Sequence, residues 1–169
     1  MTANEIFGRM SAPRASEILN WLHDNDRYAY RSCAGMLAAR RKLRPVFVER
    51  KPREERNLWM REALLKASNS DLALEILQVW VLGKNERMVC DFLDAMKIKH
   101  DGKGLIDELP LEPAADKVTA AVESILANYP AAEVAIYLNL FVGMDDSGWP
   151  ALKSLVASHP ALSTDLVAA

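Results

Sequence analysis

Two segments, LALEILQVWVL (72–82) and EVAIYLNLFVGM (133–144), are apolar almost all the way round a helix and leave it no wet face. Each such helix must be enclosed on several sides, so the remainder of the chain has to supply cover for two central elements. A buried strand would also be apolar throughout. The Leu, Ala, Glu and Gln content of these runs, each within a segment of about 12 residues, favours helix.

The rest of the chain carries amphipathic helical spacing. In DKVTAAVESILANY, Val118, Ala121, Val122, Ile125, Leu126 and Tyr129 recur at steps of three and four, one apolar stripe. ERMVCDFLDAMKI repeats the pattern with Met88, Val89, Phe92, Leu93 and Met96, and Asn85 stands before it as an N-cap. Punctuation marks the other elements. Ser11 and Pro13 open a helix through SEILNWL, Asn25 or Asp26 opens a longer one that Pro45 closes, and Pro52 with Glu54 and Glu55 starts another. Ser70 caps the next. After a loop at 99–113 come two helices joined across NYPAAE, and a last one begins at Trp149–Pro150.

The expected fold class is therefore all-α: a single compact domain over 1–169, with seven or eight short helices in an irregular, orthogonal bundle of antiparallel hairpins. The 99–113 loop, anchored to the core by Ile106 and Leu109, is the place where it can divide internally. A superhelical repeat is disfavoured, because the pair at 71–98 places its all-round apolar helix first and the pair at 114–144 places it second. No strand-hairpin signal occurs.

Half of the 169 residues are apolar and the net charge is -2, a globular composition with no overall field that calls for nucleic acid or an anionic membrane. Any such binding has to come from a local patch. The run around 134–144 is far short of the roughly 20 residues that span a bilayer, so no membrane partner is expected. Only Cys33 and Cys90 are present and no signal segment opens the chain, which points to a cytoplasmic setting with buried thiols.

KHDGKGLIDELP (99–110) invites comparison with a calcium loop, but the oxygen donors are missing. With Gly104 at the sharp-turn position, Asp101 and Asp107 fall where donors belong, while Lys99, Lys103 and Pro110 occupy the other ligand positions. His23–Asp24 and His100–Asp101 form two His-Asp doublets of the kind that helical metal-dependent phosphohydrolases use. A hydrolase around His100 and Asp101 is thus one alternative, although His100 lies in a glycine-containing loop and His23 is distant in sequence. No nucleophile elbow, dinucleotide fingerprint or phosphate loop is present. The residues propose no enzyme, no cofactor and no metal; catalytic groups drawn from distant helices would leave no such signature.

Charge is the strongest local anomaly. The elbow RRKLRPVFVERKPREER (40–56) carries Arg40, Arg41, Lys42, Arg44, Arg50, Lys51, Arg53 and Arg56 against Glu49, Glu54 and Glu55. It is a candidate patch for an anion or a partner, and Tyr28, Tyr30, Phe47 and Trp59 nearby offer rings on which bases can stack. The alternative is a surface neutralised internally, for instance by the helix carrying Asp91 and Asp94. The first expectation is a helical protein-interaction or scaffold domain that holds a protein partner or a copy of itself. The second is nucleic-acid or polyanion binding through the elbow.

Overall fold

The computed structural model describes residues 1–143 and 148–162, and among them it holds ten α-helices, two short 3-10 turns and no strand. The all-α class is as expected. Met144, at the end of the second all-round apolar segment, and residues 163–169 lie outside the described residues. The excess over seven or eight helices comes from α1 (Ala3–Arg9) and α4 (Pro45–Glu49), which at seven and five residues are too short to display a helical period.

The chain forms two compact units, residues 2–80 and the described residues from 81 on, with the boundary between Trp80 and Val81 inside a helix. In the first unit, α1 is followed by α2 (Ala12–Asn25), α3 (Arg27–Arg40), α4, α5 (Arg53–Leu64), a 3-10 turn at Ala67–Asn69 and the start of α6 (Ser70–Lys84). The N-caps of α2 and α3 are as expected. The Ser11 hydroxyl accepts the Arg14 amide at 3.2 Å, and the Asp26 carboxylate accepts the Ala29 amide at 3.0 Å. Asp26 also ends α2, so a single residue makes the corner between α2 and α3. Pro45 does not stop α3. The helix ends at Arg40 because Lys42 turns to φ +56° and the Leu43 amide reaches back to the Ala38 carbonyl at 2.9 Å; Pro45 then opens α4.

Helix α2 packs on α3 and α5, and α3 on α4 and α5. Ile18, Leu19, Leu22, Leu37, Met60 and Leu64 fill the space between them and are essentially without exposure. Burying each such side chain contributes roughly 1.5–3 kcal/mol before conformational entropy is set against it.

The second unit is built on α7 (Glu86–Ala95), α8 (Ala115–Asn128), α9 (Ala131–Gly143), α10 (Pro150–Ser158) and a turn at Pro160–Leu162. All nine side chains from Glu133 to Phe141 are buried, as the all-round apolar pattern of that segment requires. The other such segment is less enclosed: Leu74 and Glu75 on α6 are exposed. Phe92, Tyr137, Phe141 and Trp149 form a chain of edge-on and tilted rings 5.2–6.0 Å apart. Asn85 takes the N-cap position of α7, but its side chain donates to Glu133 Oε2 at 2.8 Å and not to the helix.

The 99–113 loop is held by polar contacts more than by Ile106 and Leu109, which are only half-buried. Trp149 Nε1 donates to the Pro110 carbonyl at 2.9 Å, and the Glu112 carboxylate accepts the Ala151 and Leu152 amides at 3.1 and 2.9 Å, capping α10.

Candidate anion-binding pocket

The basic elbow divides into residues that hold the fold and residues that do not. Arg40 is fully engaged: it grips Asp71 with both terminal nitrogens, at 2.8 and 2.5 Å, and donates to Asn69 Oδ1 and the Ser68 carbonyl at 2.9 Å. That forked contact holds the Asp71 carboxyl at about 2, well below its usual value. Arg53 donates to the Asn20 carbonyl and to Asp24, and Arg41 stacks over the Trp59 ring at 5.3 Å. Hydrogen bonds from Arg53 and then His23 lower the Asp24 carboxyl. The acids that pair with elbow cations are therefore Asp71 and Asp24, while the Glu49 carboxylate turns to Arg31 outside the elbow. Asp91 and Asp94 are occupied otherwise, by Tyr129 and His100. Lys42, Arg44, Arg50 and Lys51 are exposed and make no ion pair among the described residues.

Beside the elbow lies an open cavity of about 790 Å³ contained within the first unit, of a size that suits a small ligand. Of the eight elbow cations only Arg56 lines it, joined by Pro45, Val48 and Glu49 from α4. Helix α3 supplies the longest wall: Arg27, Tyr28, Tyr30, Arg31, Ser32 and Gly35, with His23 from the end of α2 beside them. Three arginines thus face one carboxylate, and that carboxylate is spent, because Glu49 pairs with Arg31 at 3.1 Å.

The cavity floor is fixed by a buried polar network. The Tyr30 hydroxyl donates to Asn57 Oδ1 at 2.7 Å and accepts from Arg56 Nε at 3.0 Å, and Asn57 Nδ2 donates to Asn20 Oδ1 at 2.8 Å. The Arg56 guanidinium also lies 5.4 Å from the Tyr30 ring centre and donates to the Glu49 carbonyl at 3.3 Å, so its charge is held in place at the wall. His23 meets the Tyr30 ring edge-on at 5.1 Å, with Nδ1 2.9 Å from Asp24. Burial pushes the Tyr30 phenol up against the lowering pull of Arg56, so it stays protonated as a donor. Tyr28 behaves oppositely, with 84% of its surface open to solvent at the cavity rim.

Arg27 and Arg31 stand outside the basic run and were missed from sequence. The signal for them is spacing: 27 and 31 are one helical turn apart, on the helix that also carries Tyr28 and Tyr30.

The loop at 99–104 is a self-contained turn. Asp101 Oδ1 accepts the Lys103 and Leu105 amides at 2.8 and 3.0 Å, which lower its carboxyl, and His100 joins Asp94 through Nε2 and the Gly102 amide through Nδ1. No group of three or more His, Cys, Asp or Glu side chains converges among the described residues. Burial pushes the Cys33 thiol up to about 12, which leaves it without a reactive thiolate at neutral pH. No helix among the described residues is long and apolar enough to cross a membrane. No protein-family model, curated protein or solved structure matches this chain.

Proposed function

We propose that the 2–80 unit binds a phosphate-bearing chain, single-stranded nucleic acid foremost, along the face made by α3, α4 and the elbow. The observation that carries this reading is the cavity in which Arg27, Arg31 and Arg56 outnumber a single, already paired carboxylate beside an exposed Tyr28. Unpaired Lys42, Arg44, Arg50 and Lys51 on the adjoining elbow extend the cationic surface. Charge is segregated along the sequence in the same sense: residues 2–80 carry fourteen Lys and Arg against ten Asp and Glu, and residues 81–169 carry seven against thirteen. The net charge of -2 therefore conceals a basic segment suited to polyanions.

The test separates free cations from structural ones. Fluorescence anisotropy with a labelled single-stranded oligonucleotide at low salt should give binding that disappears when Arg27, Arg44, Arg50 and Lys51 are reversed to Glu. Neutralising Asp71 and Arg40 together should disturb stability and leave binding in place. A wild-type protein that binds no oligonucleotide at low salt, or a fourfold reversal that binds as well as wild type, defeats the proposal.

A second reading has its own observation. Leu43, Val46 and Phe47 are exposed on the elbow among those free cations, which suits a protein-interaction or scaffold role with an acidic, amphipathic protein as partner. Phe47→Glu should then abolish a defined complex in which the oligonucleotide does not compete. Competition by the oligonucleotide returns the face to the first reading.

A further inference from the structure

The cavity contains one residue that neither packing nor backbone geometry requires. Gly35 lies in the interior of α3, where glycine weakens a helix relative to alanine. A Cβ built there meets no atom within 4 Å, and Gly35 is not among the positive-φ residues. What the missing side chain does leave open is the cavity wall. Gly35 lines it, one turn along from Ser32 and Arg31, and adds no side chain to the wall there.

Tyr28 makes the same point from the other side. Tyr28, with 84% of the residue's surface in solvent, gains little from folding, yet it lines the cavity, next in sequence to the unpaired Arg27. Behind the wall, the Tyr30, Asn57 and Asn20 side chains bond to one another and to Arg56, which fixes the lining residues Tyr30 and Arg56 in place before any ligand arrives.

From the open space at Gly35, the exposed Tyr28 and the guanidinium groups of Arg27, Arg31 and Arg56 around a cavity of about 790 Å³, we infer that the pocket accepts one unstacked nucleotide, its base in the space beside Tyr28 and Gly35 and its phosphate toward the arginines. This rests on the polyanion reading of the same face. It adds that the protein distinguishes a strand with bases from a bare phosphate chain, because every base has a π-face that a tyrosine can stack on, independent of sequence.

The probes are a labelled single-stranded oligonucleotide and an abasic strand of equal length and equal phosphate number. The base-bearing strand should bind about 5- to 160-fold more tightly, the range expected for stacking of a single base. Tyr28→Ala should remove that preference while the abasic strand binds as before. Gly35→Leu, whose Cβ enters open space at the cavity wall, should remove it too, with unchanged circular dichroism. Adenosine monophosphate that displaces the strand from wild type but not from Tyr28→Ala supports the pocket and assigns it to free nucleotides as well; failure to displace while the preference stands assigns it to strands alone. Equal affinity for the two strands in wild type, or a preference that survives both substitutions, overturns the pocket and leaves the polyanion reading intact. Loss of binding to both strands in wild type overturns the polyanion reading itself.

Discussion

The two glycines of the 99–104 turn provide a matched pair of perturbations. Gly102 and Gly104 both have positive φ, +86° and +91°, so replacing either with alanine strains the backbone by about 1–3 kcal/mol. Their surroundings differ completely. A Cβ on Gly102 meets nothing within 4 Å, whereas one on Gly104 would sit 2.6 Å from Val89 Cγ1 and 3.2 Å from both Val89 Cβ and Leu82 Cδ2. Val89 is buried on α7, and its β-branched side chain has one preferred rotamer in a helix, so it cannot swing aside. Relief has to come from moving the loop or the helix, which adds about 1–3 kcal/mol of overpacking. Gly104→Ala should therefore destabilise the protein by roughly 2–6 kcal/mol, and by about 1–3 kcal/mol more than Gly102→Ala. Urea unfolding followed by far-ultraviolet circular dichroism measures both. Equal midpoints for the two variants would show that the loop does not pack on Val89 and would refute this account of how it is held.

Three further outcomes follow from particular contacts. Asp71→Asn should lower stability by roughly 0.2–1 kcal/mol near neutral pH, a small value because the Arg40 pair is substantially exposed. With the native Asp71 carboxyl at about 2, below its unfolded value, that contribution is complete above pH 4 and fades as pH falls toward 2, so the variant and wild type should converge in acid; a constant difference would exclude the ion pair as its source. Tyr30→Phe leaves the buried Asn57 Oδ1 without its donor and should cost about 1–3 kcal/mol by equilibrium unfolding, and a neutral result would mean that the floor network contributes no rigidity. Gly35→Ala should raise stability by about 0.5–1 kcal/mol, since its Cβ enters open space; destabilisation would reveal a packing role at Gly35.

The elements legible in the sequence were those whose signal is local and long. Ser11 and Asp26 announced their helices because an N-cap needs only a side-chain oxygen three residues from its amide, and the 133–141 stretch announced its burial because, Glu133 and Asn139 apart, apolar and aromatic side chains surround it on every side. What escaped depended on tertiary partners. Lys42 adopts a positive φ that nothing in RRKLRP advertises, so the end of α3 was assigned to Pro45. The elbow presented eight cations within residues 40–56, but Arg40 and Arg53 are drawn off by Asp71 and Asp24, and only the folded chain reveals this. Conversely, Arg27 and Arg31 become part of a cationic cavity because α3 turns them toward Arg56 from α5, a proximity that no run of charge encodes.

The salt dependence of oligonucleotide binding tests the central claim most directly. If the α3, α4 and elbow face neutralises phosphates, a plot of log affinity against log salt for the intact protein should fall with a slope of about -0.7 per phosphate engaged, and the slope should shrink by about that amount for each of Arg27, Arg44, Arg50 and Lys51 that is removed. A slope near zero, or one that these removals leave unchanged, would contradict it.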